Sequence, residues 1–274
     1  NIGKRQVNYK LKDWLISRQR YWGTPIPIVY DPDGFPHPIP EEHLPWKLPD
    51  DVDYNPKGIS PLASSASLIE KTESIFGEGW RPEIDTMDTF VCSSWYYLRY
   101  PNAKYQKGPF DTAKMDWLPV DTYVGGSEHA TMHLLYARFI TKALRDFGHL
   151  EFGEPFIKLF HQGTITKDGA KMSKSKGNTV SPDKFIDDYG SDTFRAYLMF
   201  MGPFDEGGDW NDKGITGIYR FLGKAWRLCI ECDESDTLSR SDNILVNKTI
   251  KGVSDDFESM KFNTAISKLM EYIN

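Results

Sequence analysis

Cysteine is scarce, with three in 274 residues. Cys92 stands alone, and Cys229 and Cys232 form a C-x-x-C inside a stretch with a helical pattern (IYRFLGKAWRLCIEC). No disulfide framework can be built from these, and a zinc site lacks a second ligand pair at a workable spacing. A reducing, cytoplasmic setting follows. Long apolar runs are also missing: none approaches the ~20 residues that cross a bilayer. The first residues, NIGKRQVNYKLKDW, lack the apolar centre of a secretory signal, so no membrane partner is expected. A basic excess is absent too. The formal net charge is −6, which argues against generic electrostatic binding to nucleic acid. An RNA partner would need a local basic surface. Lys167, Lys171, Lys174 and Lys176 form one such patch, and Lys4, Arg5, Lys10, Lys12, Arg18 and Arg20 form another.

What the chain does contain is the composition of a soluble globular protein, 39% hydrophobic and 26% charged, long enough to bury a substantial core. Ten of its seventeen prolines lie between Pro25 and Pro61. Proline fixes φ and donates no backbone hydrogen bond, so this stretch reads as an irregular excursion after the strand IPIVY. Alternation of apolar and polar residues resumes at DTMDTF. Continued through Trp95, it puts Phe90, Cys92 and Ser94 on one face and Val91, Ser93 and Trp95 on the other. For such an aromatic cluster, core packing is the default reading.

From Asp121 the pattern becomes α/β. TYVGG is a short strand running into glycines. SEHATMHLLYARFITKALRDFG is a helix with Ser127 as N-cap and Gly148 as its stop, and PFIKLFHQGTI is a strand that breaks at Gly163. Helices follow over 182–189, through SDTFRAYLMFM, and from about 213 to 232. After the polar linker DESDTLSRSDN come two more helical stretches. Strand, helix, strand, loop, helix is half of a doubly wound parallel sheet, whose ligands bind at the carboxyl ends of the strands. The Gly125-Gly126 turn and the loop after Gly163 both fall at such ends.

That loop, GAKMSKSKGNTVSPD, is the most informative segment. Lys171 and Lys174 lie three residues apart among small hydroxyl residues and ahead of Gly177 and Asn178. Such a cationic loop is suited to folding over phosphate oxygens, since lysine presents a compact point charge. Ser181-Pro182-Asp183 then starts a helix, whose free N–H groups add partial positive charge. A solvated lysine loop is the plain alternative. For His129 and His133, four apart on one helix face, three readings stand. They form a metal pair, they pack under the sheet edge, or they touch a ligand at a helix N-terminus beside a glycine turn, where Glu128 would meet a ribose hydroxyl. A metalloprotease H-E-x-x-H is excluded, because Ala130 stands where Glu is needed.

The blocks WLISRQRYWGTPIPI, DTMDTFVCSSWYYLRY, YVGGSEHATMHLLYARF, KMSKSKGN and FNTAISKLMEYIN together resemble the bacterial type of leucyl-tRNA synthetase, in that family's order and over nearly the whole chain. KMSKS marks class I synthetases in general. The EHATMH and SSWYY blocks are more specific and speak against the valine, isoleucine and methionine enzymes. The resemblance implies leucine, ATP and tRNA(Leu) as substrates, with Mg²⁺ carried by ATP. It implies that Lys171 and Lys174 hold the ATP phosphates as pyrophosphate leaves, within a loop that includes Met172, Ser173 and Ser175. It further implies that Gly126 and Glu128 bind the ribose and that Gln162, Gly163, Thr164 and Ile165 flank adenine. Phe90, Ser93, Tyr96, Tyr123, His129 and His133 would line the leucine side-chain pocket.

The implied fold is the second half of a Rossmann-like catalytic domain, then an α-helical stem and the start of an anticodon-binding bundle. Expected divisions are 1–30 (the segment after the editing insertion), 31–84 (a Pro-rich module), 85–202 (the catalytic half), 203–240 (stem) and 241–274 (start of the bundle). The departures from the family pattern are specific. No H-x-G-H occurs, although that signature supplies half of the family's ATP-phosphate site. The acid that would hold the leucine ammonium lies in the same region. The missing N-terminal half and editing domain are therefore expected partners. No cysteine lies between Asp31 and Asp85, so no zinc is expected in the Pro-rich module. Only seven residues separate Gly163 from Lys171, which leaves no room for the extra domain some relatives insert there. A non-catalytic RNA-binding module, or one subunit of a split enzyme, is the alternative.

Overall fold

The computed structural model describes residues 3–8, 14–55, 58–231 and 238–274. Lys10, Lys12 and Cys232, named above, lie outside the described residues. Contacts divide the chain into two compact units. One comprises 1–121 and 131–157, the other 122–130 and 158–274.

The first unit begins with β1 (Ser17–Arg18), followed by β2 (Ile28–Tyr30), β3 (Pro36–Pro38), α1 (Ala66–Phe76), β4 (Arg81–Pro82) and β5 (Thr86–Met87). The Pro-rich excursion is more ordered than its composition suggests. β2 is the centre of a three-stranded antiparallel sheet with β3 and β4, and Val29, Ile39, Trp46, Leu62 and Leu68 form a core of their own. α1 starts where the Ser65 hydroxyl accepts the Leu68 N–H at 3.1 Å, and it ends at Gly77. The Asp51 carboxylate braces that start by accepting from Ser65, Ser67 and the Ser67 N–H.

The alternation expected over 89–95 is not a strand. α2 (Thr89–Ser93) and α3 (Tyr96–Arg99) occupy it instead. The Asp88 carboxylate accepts the Phe90 N–H at 3.0 Å and so caps α2, a local bond that a strand could not use. Tyr97 and Leu98 then enter a second core with Phe110 and Leu150. The Tyr97 hydroxyl meets the Thr141 hydroxyl at 2.6 Å within that core.

Next come β6 (Val120–Gly125), α4 (Leu134–Asp146) and β7 (Phe156–His161), with β6 and β7 paired. The helix leading into α4 opens one residue earlier than its sequence signal. The Gly126 carbonyl, not Ser127, takes the first bonds, from the His129 and Ala130 N–H groups at 3.0 and 3.3 Å. A π-helical turn over His129–His133 follows before regular winding begins.

The second unit continues with β8 (Thr164–Lys167), β9 (Ala170–Lys171), α5 (Pro182–Tyr189), α6 (Ser191–Phe200), β10 (Gly207–Asp209), α7 (Ile215–Glu231), α8 (Arg240–Glu258) and α9 (Phe262–Ile273). The fold is α/β, as expected. β8 pairs parallel with β10 and antiparallel with β9. The expected start at Ser181 holds: its hydroxyl accepts the Asp183 N–H, with Pro182 in the first turn. A third core gathers Tyr197, Trp210, Ile215 and Ile218, against which Ile165, Met172, Ile266 and Met270 pack. No described helix is long and apolar enough to cross a membrane.

Where β8 meets β10 the backbones nearly touch. A Cβ on Gly163 would lie 2.0 Å from the Gly207 nitrogen and 2.1 Å from the Glu206 carbonyl carbon. Neither neighbour is a side chain that can swing away. Gly163→Ala is expected to cost about 3 kcal/mol, the upper end for overpacking. That corresponds to a fall of roughly 6–12 °C in the midpoint of thermal unfolding for a chain of this size. An unchanged midpoint would mean that the strands can separate freely.

Candidate active site

The lysine loop is built on a hairpin. β8 and β9 pair through Thr166↔Lys171 and Lys167↔Ala170, and Asp168 and Gly169 turn the chain with φ of 55° and 71°. Asp209, on β10, grips the turn by accepting from the Thr166 hydroxyl at 2.5 Å and the Gly169 N–H at 3.0 Å. Those bonds, the Thr166 one foremost, hold its carboxyl below the usual carboxylate range. Beyond the hairpin, Met172 turns inward to the third core, while Lys171 and Lys174 stay exposed on either side of it. One short helical turn, Lys174–Lys176, closes at Gly177 in the left-handed conformation. The Asn178 carboxamide spans the loop. Its oxygen accepts the Ser173 N–H at 2.8 Å and its nitrogen donates to the Lys171 carbonyl at 3.3 Å. Ser173 and Ser175 hydroxyls meet at 2.8 Å. The expected lysine pair is thus displayed by a shaped loop with a partly buried methionine anchor. Asn178 adds the clamp, a contribution its side chain announces only once folded.

Glu128 lies in the same unit, at the opening of the helix. Its own backbone N–H, the Ser127 hydroxyl and the charges of His129 and Lys171 together lower its carboxyl pKa, so the field of the loop reaches it. Gly125 is required here by close approach, since a Cβ would come within 2.9 Å of the His129 Cβ. Gln162 is brought beside this turn by its N–H, which donates to the Gly125 carbonyl at 3.3 Å. Gln162, Gly163 and Ile165 line a largely apolar cavity of about 270 Å³ with Leu198, Met201 and Phe204. Thr164, between them, is exposed. Arg195 also lines the cavity, a cation that no motif announced.

The residues expected around an aliphatic side chain fall in both units. Tyr123 (buried) and His129 (partly buried) belong to the second. In the first, Phe90, Ser93, Tyr96 and His133 come together. The His133 ring meets Phe90 edge-on at 5.8 Å and Tyr96 at 5.8 Å, and its Nε2 lies 3.1 Å from the Ser93 carbonyl. Burial raises the Tyr96 phenol pKa. His133 is thus buried and packed between Phe90 and Tyr96, in agreement with the packing reading. Among the described residues no group of three or more His, Cys, Asp or Glu could hold a metal ion. The second basic stretch is partly spent internally. Arg18 pairs with Asp88, and Arg20 donates to the Thr89 hydroxyl at 2.9 Å and the Met87 carbonyl at 3.4 Å.

Residues 5–210 match the family described as tRNA synthetases class I (I, L, M and V). The leucine–tRNA ligase of Dehalococcoides mccartyi is 51% identical over 277 residues, covering 99% of this chain and 34% of that protein. That of Clostridium perfringens is 51% identical over 286 residues, covering 100% of this chain and 35% of the relative. A crystal structure of a LeuRS–tRNA–LeuAMS ternary complex from Agrobacterium radiobacter matches with a TM-score of 0.87 and 37% identity, over 97% of this chain and 37% of that one. The chain thus spans about a third of the length of the curated relatives it matches.

Asn178→Ala removes both bonds of the loop clamp at once. Amide hydrogen exchange over 171–177 is expected to accelerate on the order of tenfold, with exchange in α5 and α6 unchanged. Equal exchange in the loop would show that Met172 alone holds it.

Proposed function

This chain belongs to the class I tRNA synthetases (I, L, M and V), and on that footing we propose that it is part of a leucine–tRNA ligase. The parent reaction is attack of the leucine carboxylate on the α-phosphorus of ATP, release of pyrophosphate, and transfer of the leucyl group to tRNA(Leu). The observation that supports this reading is that, within one unit, the Gln162 N–H donates to the Gly125 carbonyl at 3.3 Å beside the turn that carries Glu128, and the β8–β9 hairpin that follows displays Lys171. A nucleotide laid along this edge finds a carboxylate for its ribose, an apolar wall for its base and two lysines for its phosphates.

Glu128, with the Gly126 backbone, binds the ribose hydroxyls. Gln162, Gly163, Thr164 and Ile165 flank adenine. Lys171 and Lys174 neutralise the charge that gathers on pyrophosphate as its bond to the α-phosphorus breaks, which is where fixed charges lower a barrier most. Met172, Ser173 and Ser175 hold the loop in the shape that presents them. Mg²⁺ enters with ATP and shares the phosphate charge. Phe90, Ser93, Tyr96 and His133, all in the first unit, line the leucine side-chain pocket, with aromatic walls suited to a branched aliphatic group. The H-x-G-H half, the ammonium-binding acid and the editing insertion are contributed by other segments of the same cytoplasmic enzyme. Segments 203–240 and 241–274 act as its stem and the beginning of its anticodon-binding bundle.

In the full-length enzyme, Lys171→Ala and Lys174→Ala are each expected to lower kcat for leucine activation by about 10²–10³, with KM for leucine nearly unchanged, as for loss of a transition-state contact. Leucine-dependent ATP–pyrophosphate exchange measures both constants, and an effect confined to KM would count against the assignment. The 274-residue chain alone, which carries no H-x-G-H, is expected to show no exchange above background. Turnover by the isolated chain would refute the division of labour.

A further inference from the structure

Two residues outside the nucleotide and leucine sites hold the element that carries part of the leucine pocket. Asp88 is 2% exposed. One carboxylate oxygen caps α2 at the Phe90 N–H, and the other is paired with Arg18 Nε. The Asp88 N–H reaches the Ile16 carbonyl at 2.9 Å, and its carbonyl accepts the Cys92 N–H at 3.0 Å. Burial alone would raise this carboxyl's pKa, yet the bonds from Arg18 and Phe90 outweigh it and the net shift is downward. β1 is itself fixed, through Ser17↔Met87 and Arg18↔Thr86 pairing and through bonds from Ser17 and Gln19 to Asp85, both 2.6 Å.

At the other end of α2, the Ser93 carbonyl lies 3.1 Å from His133 Nε2. A carbonyl can only accept, so Nε2 carries the proton in this contact. A five-residue helix cannot hold itself in place. α2 is therefore held from outside, by Arg18–Asp88 and Arg20–Thr89 at its start, by the Cys92 thiol against the Thr24 hydroxyl at 3.2 Å, and by His133 at Ser93.

We propose that the Arg18–Asp88 pair is a positioning device for amino-acid specificity: it seats α2 against His133 and so sets the width of the pocket wall formed by Phe90 and Ser93. The inference rests on the leucine-pocket reading above. Both residues act through α2 and need not touch the substrate.

The test uses the full-length enzyme and compares leucine with norvaline, which lacks one branching methyl, in ATP–pyrophosphate exchange. Asp88→Asn keeps an acceptor for the Phe90 N–H but removes the charge pair. It is expected to lower the leucine:norvaline ratio of kcat/KM on the order of tenfold, the range one methyl group commands in an apolar pocket. The loss should appear as a higher KM for leucine, with KM for ATP within about twofold. Arg18→Lys keeps the charge but not the planar geometry and should show a smaller loss in the same sense; it decides the matter if Asp88→Asn does not fold. An unchanged ratio, or equal losses for both amino acids with a raised KM for ATP, would overturn the proposal. Phe90→Ala separates the two levels. If it leaves leucine KM untouched, the pocket reading itself fails. If it raises leucine KM while Asp88→Asn leaves discrimination intact, only this inference falls.

Discussion

Packing of the partly buried Met172 against the core that holds Trp210 is the constraint on which the lysine loop depends. Trp210 is packed edge-on by Phe185 and Tyr197, with ring centroids at 4.8 and 5.2 Å, and its backbone N–H is tied to the Thr166 carbonyl at 2.8 Å. Met172 packs against that cluster. An unbranched thioether fills an irregular space well, and the lysines on either side of it stay exposed. Two exposed, like-charged side chains would not hold one loop shape by themselves, because their repulsion and rotamer entropy oppose it. The partly buried methionine between them supplies the ordering, and the Asn178 carboxamide adds geometry. Charge is thereby concentrated along one edge of a hydrogen-bonded loop.

The first unit solves a different problem with the same economy. Its aromatic wall is carried on two very short helices, neither stable alone. Their position comes from what holds their ends: a buried, ion-paired carboxylate at Asp88 and the histidine contact at Ser93. The nearby second core, with Tyr97 bonded to Thr141, fixes α3 to α4. The seat of this helical turn thus rests on a few hydrogen bonds at its ends.

Features that rest on local chemistry were legible in the sequence. Ser181-Pro182-Asp183 announced α5 because cap, proline and acid all lie within four residues of one another. The KMSKS run and the glycine turn before Glu128 were visible as a loop and a strand end for the same reason. Period-two alternation misled over 89–95, since α2 and α3 are too short to show a helical period and the Asp88 cap outweighed the pattern. Gly126 displaced Ser127 as the helix opening because the π-helical turn shifts the first hydrogen bonds. The core of the Pro-rich module was invisible for another reason. Val29, Ile39, Trp46, Leu62 and Leu68 follow no period, and they meet only when α1 and the loops pack on the β2–β3–β4 sheet. The clamps at Asn178 and Asp88 depend on contacts across the loop or across seventy residues (Arg18 to Asp88), which no local pattern encodes.

The central claim is that the loop lysines meet the phosphates of a bound nucleotide. It is tested most directly by affinity labelling of the full-length enzyme with an adenosine polyphosphate bearing an aldehyde at its terminal phosphate. The adduct is then trapped by borohydride reduction and mapped by mass spectrometry. The account predicts modification at Lys171 or Lys174, suppressed by ATP with Mg²⁺. Labelling that falls on other lysines, or that ATP does not suppress, would contradict it.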